Sequence, residues 1–545
     1  MNNLLFLLLL TTLAWGASFQ LPAQDVNIIP RPQQVVVGEG GFTVDGGTPI
    51  RAGSESEAVA RVLQDAIGER TGLRLAIGGD TGSRAPAVKF EVDETLGQEA
   101  NRLIVSGEGI DILASGSAGW FYGVQSLLQL LPETDQSVES FQLPAVTIDD
   151  APRFAWRAFM LDEGRFFKGA EQVKLLLDEM ARLKMNVFHW HLVDDQGWRI
   201  EIKKYPLLTE IGSKRKSSQV GPLKWESPVQ SAEPHEGFYT QEEIREIVAY
   251  AAARHITVVP EIEMPGHSSA AIAAYPWLGT AKQKIEVPIR FGVSQDVYDV
   301  SDPRVVRFLT DVLDEVIELF PSKVIHIGGD EVKYDHWKSS PAVRKYMAEH
   351  GLDTPADLQV FFTNNISQYL ESKGRRMMGW NEIMGHNLHD YQDAADTESD
   401  QELASSTVVH FWKGDPALAT HAAENGFEIV NSLHSRTYLD YSYESIPLSE
   451  AYAFDPVPEG LAPQYHDNII GTGCQMWGEW IPTDGQMHFQ VFPRIAAYAE
   501  VGWTRKENKD FTAFKAALPA LQQRWQRKGI YYAPDTVVER QGGGD

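Results

Sequence analysis

The densest chemistry in this 545-residue chain lies at His326-Ile327-Gly328-Gly329-Asp330-Glu331, where two acids stand side by side after a short apolar run. Val324–Ile327 is too short for a helix and reads as a buried strand. The two glycines let the backbone turn and bring a substrate close to it. Adjacent carboxylates at a strand end repel each other and are partly desolvated, so their proton affinities split. Acid catalysis beside a charged helper requires that split. A strand ending in a solvated acidic turn has the same residues, so the remainder of the chain must decide.

The elements around the pair form a pattern. From Arg157 onward, strand and helix signals alternate. Strands are expected at Ala158–Leu161, Val187–Leu192, Thr257–Ile262, Val324–Ile327, Arg376–Gly379, Val408–Phe411, Phe427–Val430 and Ile469–Met476. Helices intervene, among them Ala170–Leu183, Gln241–Ala253, Pro303–Leu319 and Ala356–Glu371. This alternation predicts an α/β fold, a (β/α)₈ barrel over residues 151–510. A doubly wound open sheet is the alternative, but no Gly-rich phosphate loop follows any strand. Polar residues gather where the strands end: Asp162 and Arg165, His189 to Asp195, Glu261 to His267, Asp330 and Glu331, Glu382, Tyr438 and Asp440, and Glu479. That is the catalytic face of such a barrel. Trp380, Trp412 and Trp477 stand on three different strands there. Together they suggest an aromatic enclosure for a ligand with apolar faces and hydroxyls, such as a sugar.

Ahead of the barrel, residues 18–150 read as a small α+β accessory domain. It has a hairpin through Leu103–Val105 and Ile110–Leu113 and an amphipathic helix over Ala118–Leu131. Residues 511–545 read as a terminal helix, Phe511–Arg527, and a frayed tail. The loops Ser213–Gly237, His386–Ser406 and Tyr441–Gln464 are long, as functional loops on the catalytic face often are. Leu4–Leu13, followed by small residues to Ser18, resembles a signal peptide over residues 1–17, although no Lys or Arg precedes it. The expectation is export to a periplasm or the medium, in a bacterium, because a single cysteine, Cys474, permits no internal disulfide. Hydrophobic and charged contents of 43% and 23% are those of a globular protein, and no other segment is long and apolar enough to span a bilayer. A formal net charge of −27 argues against nucleic acid or an anionic membrane as partner.

The blocks Arg157…Leu161-Asp162…Arg165-Phe166-Phe167, Trp190-His191-Leu192-Val193-Asp194-Asp195-Gln196-Gly197-Trp198, Pro260-Glu261-Ile262-Glu263-Met264-Pro265-Gly266-His267, His326 to Glu331, Tyr438-Leu439-Asp440 and Trp477-Gly478-Glu479 run through the whole barrel. In type and order they resemble glycoside hydrolase family 20, the β-N-acetylhexosaminidases. The resemblance implies an exo-acting enzyme that removes terminal β-linked N-acetylhexosamines from a carbohydrate substrate without metal or other cofactor. It implies Glu331 as general acid/base, Asp330 as the partner of the substrate's acetamido N–H, and Tyr438 as donor to the acetamido oxygen. Trp380, Trp412 and Trp477 would wall the acetamido methyl. Arg165 would bind ring hydroxyls, with Asp440 and Glu479 on the far side of the sugar, and Asp194 and His267 would form a relay to Glu331. Phe454 departs from the Trp of many members, which bears on how the sugar beyond the scissile bond is stacked.

A retaining glycosidase ordinarily sets two carboxylates about 5–5.5 Å apart on opposite sides of the bond. Neighbouring side chains on an extended segment diverge, so Asp330 and Glu331 suit that task poorly. A substrate that attacks with its own acetamido oxygen needs no enzyme nucleophile and gains effective molarity, and this family is a known exception to the two-carboxylate rule. Other readings remain open at this stage. His189 and His191 on one strand face, with His267, His326, Asp194 and Asp330, suit a metal-dependent hydrolase. A non-catalytic sugar-binding protein shares the fold, and a conventional pair of Glu331 with Glu479 or Glu382 would pass through a glycosyl ester.

Overall fold

The computed structural model describes residues 26–78, 85–132, 137–221, 225–386, 388–389, 399 and 401–539. The expected signal segment, the C-terminal tail and most of the acidic loop His386–Ser406 lie outside the described residues.

Eight parallel strands close into a barrel: Trp156–Asp162, Val187–His191, Thr257–Glu261, Val324–His326, Arg376–Trp380, Val408–Phe411, Glu428–Asn431 and Ile469–Met476. All eight expected strands are present, with ends shifted by a residue or two. Helices cover the outside because each carries an apolar stripe. Pro303–Leu319 buries Val305, Phe308, Leu309, Val312, Leu313, Val316 and Leu319 and starts at Asp302, whose carboxylate accepts the Arg304 N–H. Gln241–Ala252 begins with a reciprocal Thr240–Glu243 cap.

Strand alternation sorts the interior into layers. Ala158, Val187, Val259, Val324, Met378, Val408 and Val430 form an apolar plug in the lower barrel. Two residues nearer the strand C-terminal ends, the inward positions are Met160, His189, Glu261, His326, Trp380 and His410, all buried. The barrel therefore becomes polar just beneath its mouth.

Residues before the barrel form a six-stranded mixed sheet, ordered Gln34–Asp45, Ser140–Asp150, Asn101–Ser106, Gly109–Ala114, Val88–Val92 and Ile50–Arg51. The expected hairpin is the antiparallel pair that turns between Ser106 and Gly109, and the expected helix spans Ser117–Leu130. Arg157, at the start of the first barrel strand, reaches back to Glu99 through two hydrogen bonds of 3.0 and 2.8 Å. Lys184 pairs with Asp150 at 2.5 Å with both side chains fully buried, and Asp150 also accepts the indole N–H of Trp503 at 2.8 Å. Replacing Asp150 by Asn leaves that ammonium buried without its counter-charge. The expected cost is about 3 kcal/mol or more, read as a lowered Tm; an unchanged Tm excludes this pair as a stabilising bond between sheet and barrel.

Phe511–Arg527 is helical, as expected, and packs on the barrel helix Ala170–Arg182, where Arg524 and Trp525 both bond Glu179. Cys474 is buried in the last strand, and burial pushes its thiol pKa up.

Candidate active site

The fourth strand stops at His326, and the chain then turns through Gly328 and Gly329, both at positive φ. A Cβ at Gly328 would lie 1.7 Å from Glu263 Oε2, so only glycine fits this close approach. The turn delivers Asp330 and Glu331 to the barrel mouth with side chains 10% and 24% exposed. Glu331 itself has φ +52° and His267 φ +44°. Left-handed backbone at two non-glycine residues facing each other is local strain held by the surrounding barrel.

His267 stands between the two acids and the end of the second strand. Its Nδ1 lies 3.3 Å from both Asp194 Oδ1 and Asp195 Oδ2, and its Nε2 lies 3.6 Å from Asp330 and 3.7 Å from Glu331. Burial alone would discharge this imidazole, but Asp194 and Asp330 outweigh it and hold its pKa well above the usual value. Burial pushes the Asp330 pKa up, and Glu382 and Glu331 add to the rise while His267 opposes it. Asp194, His267 and the acid pair thus stand in succession, with Asp195 as a second acid on His267.

Trp380, Trp412, Trp477 and Tyr438 make a cup beside Asp330. Trp412 and Tyr438 are parallel with centroids 6.0 Å apart, and Trp477 lies 5.8 Å from Trp380 and 5.9 Å from Tyr438. Hydrogen bonds fix two of the indoles: Trp380 N–H donates to Glu261 and Trp412 N–H to Glu382, each at 2.8 Å. Across the mouth, Arg165 is buried and donates to Asp162 at 3.1 Å, lies 3.0 Å from Asp194 and 3.8 Å from Glu479, and sits over the Trp477 ring. Asp440 and Glu479 both have raised pKa values, through burial first, with Glu479 adding to the rise on Asp440 and Arg165 opposing the rise on Glu479. Asp440 Oδ1 has no hydrogen-bond partner among the described residues and is buried, an acceptor set ready for a hydroxyl.

All eleven expected site residues therefore converge on one face of the barrel. Phe454 does not join them. Its carbonyl accepts from Lys509, and the next residue, Asp455, pairs with Arg153 and Lys506, before and after the barrel strands. It lies away from the mouth, so its difference from Trp has no contact with the cup.

Three residues that the sequence set on the catalytic face without a role in glycoside cleavage, Glu261, His191 and Asp162, hold the site residues in place. Glu261 binds Trp380, and Asp162 bonds both Arg165 and the backbone N–H of Gly478 at 2.9 Å. The available signal was the inward phase of each strand, which places all three beneath the mouth. The histidines weighed as metal ligands each stand beside an acid. His189, His191 and His326 approach Glu261 at 2.8, 2.7 and 3.0 Å. Their groupings, and that of His267 with Asp330 and Glu331, bring candidate ligand atoms within 4.8 Å of one another.

Indole faces suit the apolar side of a pyranose, and paired acids suit cleavage of its acetal. The class is a glycoside hydrolase. The catalytic domain of glycosyl hydrolase family 20 matches residues 154–506, and domain 2 of the same family matches residues 25–151. The chain belongs to this family. It is 37% identical to a beta-hexosaminidase of Porphyromonas gingivalis, over 96% of this chain and 66% of that protein, so it spans just under two thirds of that relative's length. It is 30% identical to the beta-N-acetylhexosaminidase of Cellulomonas fimi, over 95% of this chain and 98% of that one. Among solved structures, the family 20 exo beta-N-acetylglucosaminidase of Vibrio harveyi in complex with N-acetylglucosamine superposes with a TM-score of 0.81 at 30% identity, covering 93% of this chain and 78% of that one.

Proposed function

We propose that this chain is an exo-β-N-acetylhexosaminidase that releases terminal β-linked GlcNAc or GalNAc with retention, the substrate's acetamido oxygen serving as nucleophile. The observation that carries the reading is the aromatic cup closed around one side of the Asp330–Glu331 pair, with Arg165, Asp440 and Glu479 facing it. The cup matches a planar acetamido group, and the polar side matches terminal hydroxyls. Glu331 then protonates the leaving oxygen and later activates water. Asp330 holds the acetamido N–H and faces the positive charge of the bicyclic intermediate. Tyr438 donates to the acetamido oxygen. Intramolecular attack supplies several kcal/mol of rate advantage through fixed proximity, roughly what an enzyme nucleophile would otherwise provide.

The direct test is hydrolysis of aryl β-N-acetylglucosaminide and galactosaminide, with the anomer of the first product followed by NMR. Retention and activity unaffected by chelator are expected. Activity lost to chelator and restored by zinc defeats the reading and favours metal-assisted hydrolysis.

His267→Ala removes the cation opposite both acids. Expected are a kcat lowered at least tenfold, within the range of lost general acid–base assistance, and an acidic limb displaced to higher pH, because Asp330 loses the group that opposes its raised pKa. An unchanged kcat and profile defeat the relay.

A further inference from the structure

His191 is fully buried between two carboxylates. Its Nδ1 lies 2.7 Å from Glu261 Oε2 and its Nε2 3.0 Å from Asp194 Oδ2. The strand register sets Glu261 opposite His191 on the third strand and Asp162 opposite it on the first. Glu261 accepts the Trp380 indole N–H through its other oxygen. Asp194 Oδ2 is shared with Arg165 at 3.0 Å, while Asp194 Oδ1 faces His267. One chain of contacts thus runs from the wall of the cup to the sugar-binding arginine and the relay, and His191 is its central link.

We infer that His191, wedged between Glu261 and Asp194, is a positioning residue that couples the Trp380 wall to the Arg165–Asp194–His267 side of the site. The inference rests on the function proposed above and adds a residue that touches no substrate atom.

Charge explains why a histidine stands there. The acids facing it are Asp162 from the first strand, Asp194 beyond the second, Glu261 at the end of the third and Glu263 just past it, at 4.0 Å. The cations nearby are Arg165 and His267, and Trp477 packs edge-on against the His191 ring at 5.1 Å. Burial opposes a charge on His191, yet Glu261 and the hydrogen bond to Asp194 outweigh it and lift its pKa to about 10. His326, two strands away, and His410, four strands away in the same interior, go the other way and stay neutral, because burial dominates there. His191 is therefore an imidazolium that donates from both nitrogens. With His326 and His189 at Glu261 and with Arg165 and His267 at Asp194, its charge helps both acids remain anionic in a dry interior, each then fixed to accept from the indole or to face His267.

The test is His191→Gln, which keeps polarity and approximate size but carries no charge. Without the cation the negative field of Glu261, Glu263 and Asp194 is less compensated, Asp194 and the Trp380 wall lose their common tether, and Asp330 is pushed further up. Expected are a kcat on aryl β-N-acetylglucosaminide lowered at least tenfold in protein with native circular dichroism, and an acidic limb of kcat/KM displaced upward by about one pH unit. A structural filler would change stability and leave the limb in place. Folded variant protein with the wild-type limb and kcat overturns the inference. Where the variant fails to fold, ¹⁵N-histidine NMR of the His267→Ala protein decides. One imidazolium persisting at pH 8 supports the assignment, and none overturns it. Wild-type protein inactive on these glycosides would defeat the proposed function itself, a result distinct from either.

Discussion

Glu331→Gln is expected to lower kcat by about a hundredfold or more on substrates with poor leaving groups, within the range of general acid catalysis. On activated aryl glycosides the first bond breaks with little protonic help, so the loss should be much smaller. The dependence on leaving group is the diagnostic, because a residue that only shapes the pocket would cost the same on both. Position supports the assignment. Glu331 is the more exposed of the pair, at 24% against 10%, and lies at the mouth where a leaving group departs. His389 and His267 approach it from either side at 3.8 and 3.7 Å, so either can hold the side chain in one orientation. Equal losses across leaving groups would move the acid role elsewhere.

The barrel was legible because parallel strands buried on both faces are short apolar runs, and these are punctuated by chemistry only at one end. Val258, Ile325 and Val409 belong to such runs and are buried with 3% exposure or less. The site was legible where function lies in adjacent residues, as in Gly328-Gly329-Asp330-Glu331. It was less so where function arises from register. Glu261 and His191 read only as polar residues at two strand ends, and pairing of the second and third strands is what brings them together. Asp195 had no role assigned beside Asp194, yet its carboxylate reaches His267 at the same 3.3 Å, because the short ladder Val193–Asp194 with Gly197–Trp198 folds that segment back. Phe454 shows the opposite error. A residue type compared at one position says nothing about where the backbone carries it, and Lys509 and Arg153 anchor this stretch away from the mouth.

Asp330→Asn separates the second role in the pair. The substitution keeps shape and removes the charge that faces the acetamido group, so the nucleophile is misaligned and the cationic intermediate unsupported. The loss should exceed about a hundredfold and persist on activated and poor leaving groups alike, the contrary of Glu331→Gln. The sign of the pH effect follows from the raised pKa of Asp330, which burial and the neighbouring Glu382 and Glu331 impose. A carboxylate needed as its anion loses function as pH falls through its pKa, so the acidic limb of kcat/KM lies above the ordinary carboxylate range. Asparagine cannot titrate, and the residual activity should be flat across that window. The wild type should bind a thiazoline mimic of the bicyclic intermediate tightly and barely cleave β-glucosides, which lack the acetamido group. Efficient glucoside cleavage, or a covalent ester trapped on Glu479 or Glu382, would falsify the substrate-assisted route. The same barrel would then work as an ordinary two-carboxylate glycosidase, with the aromatic cup reduced to a sugar platform.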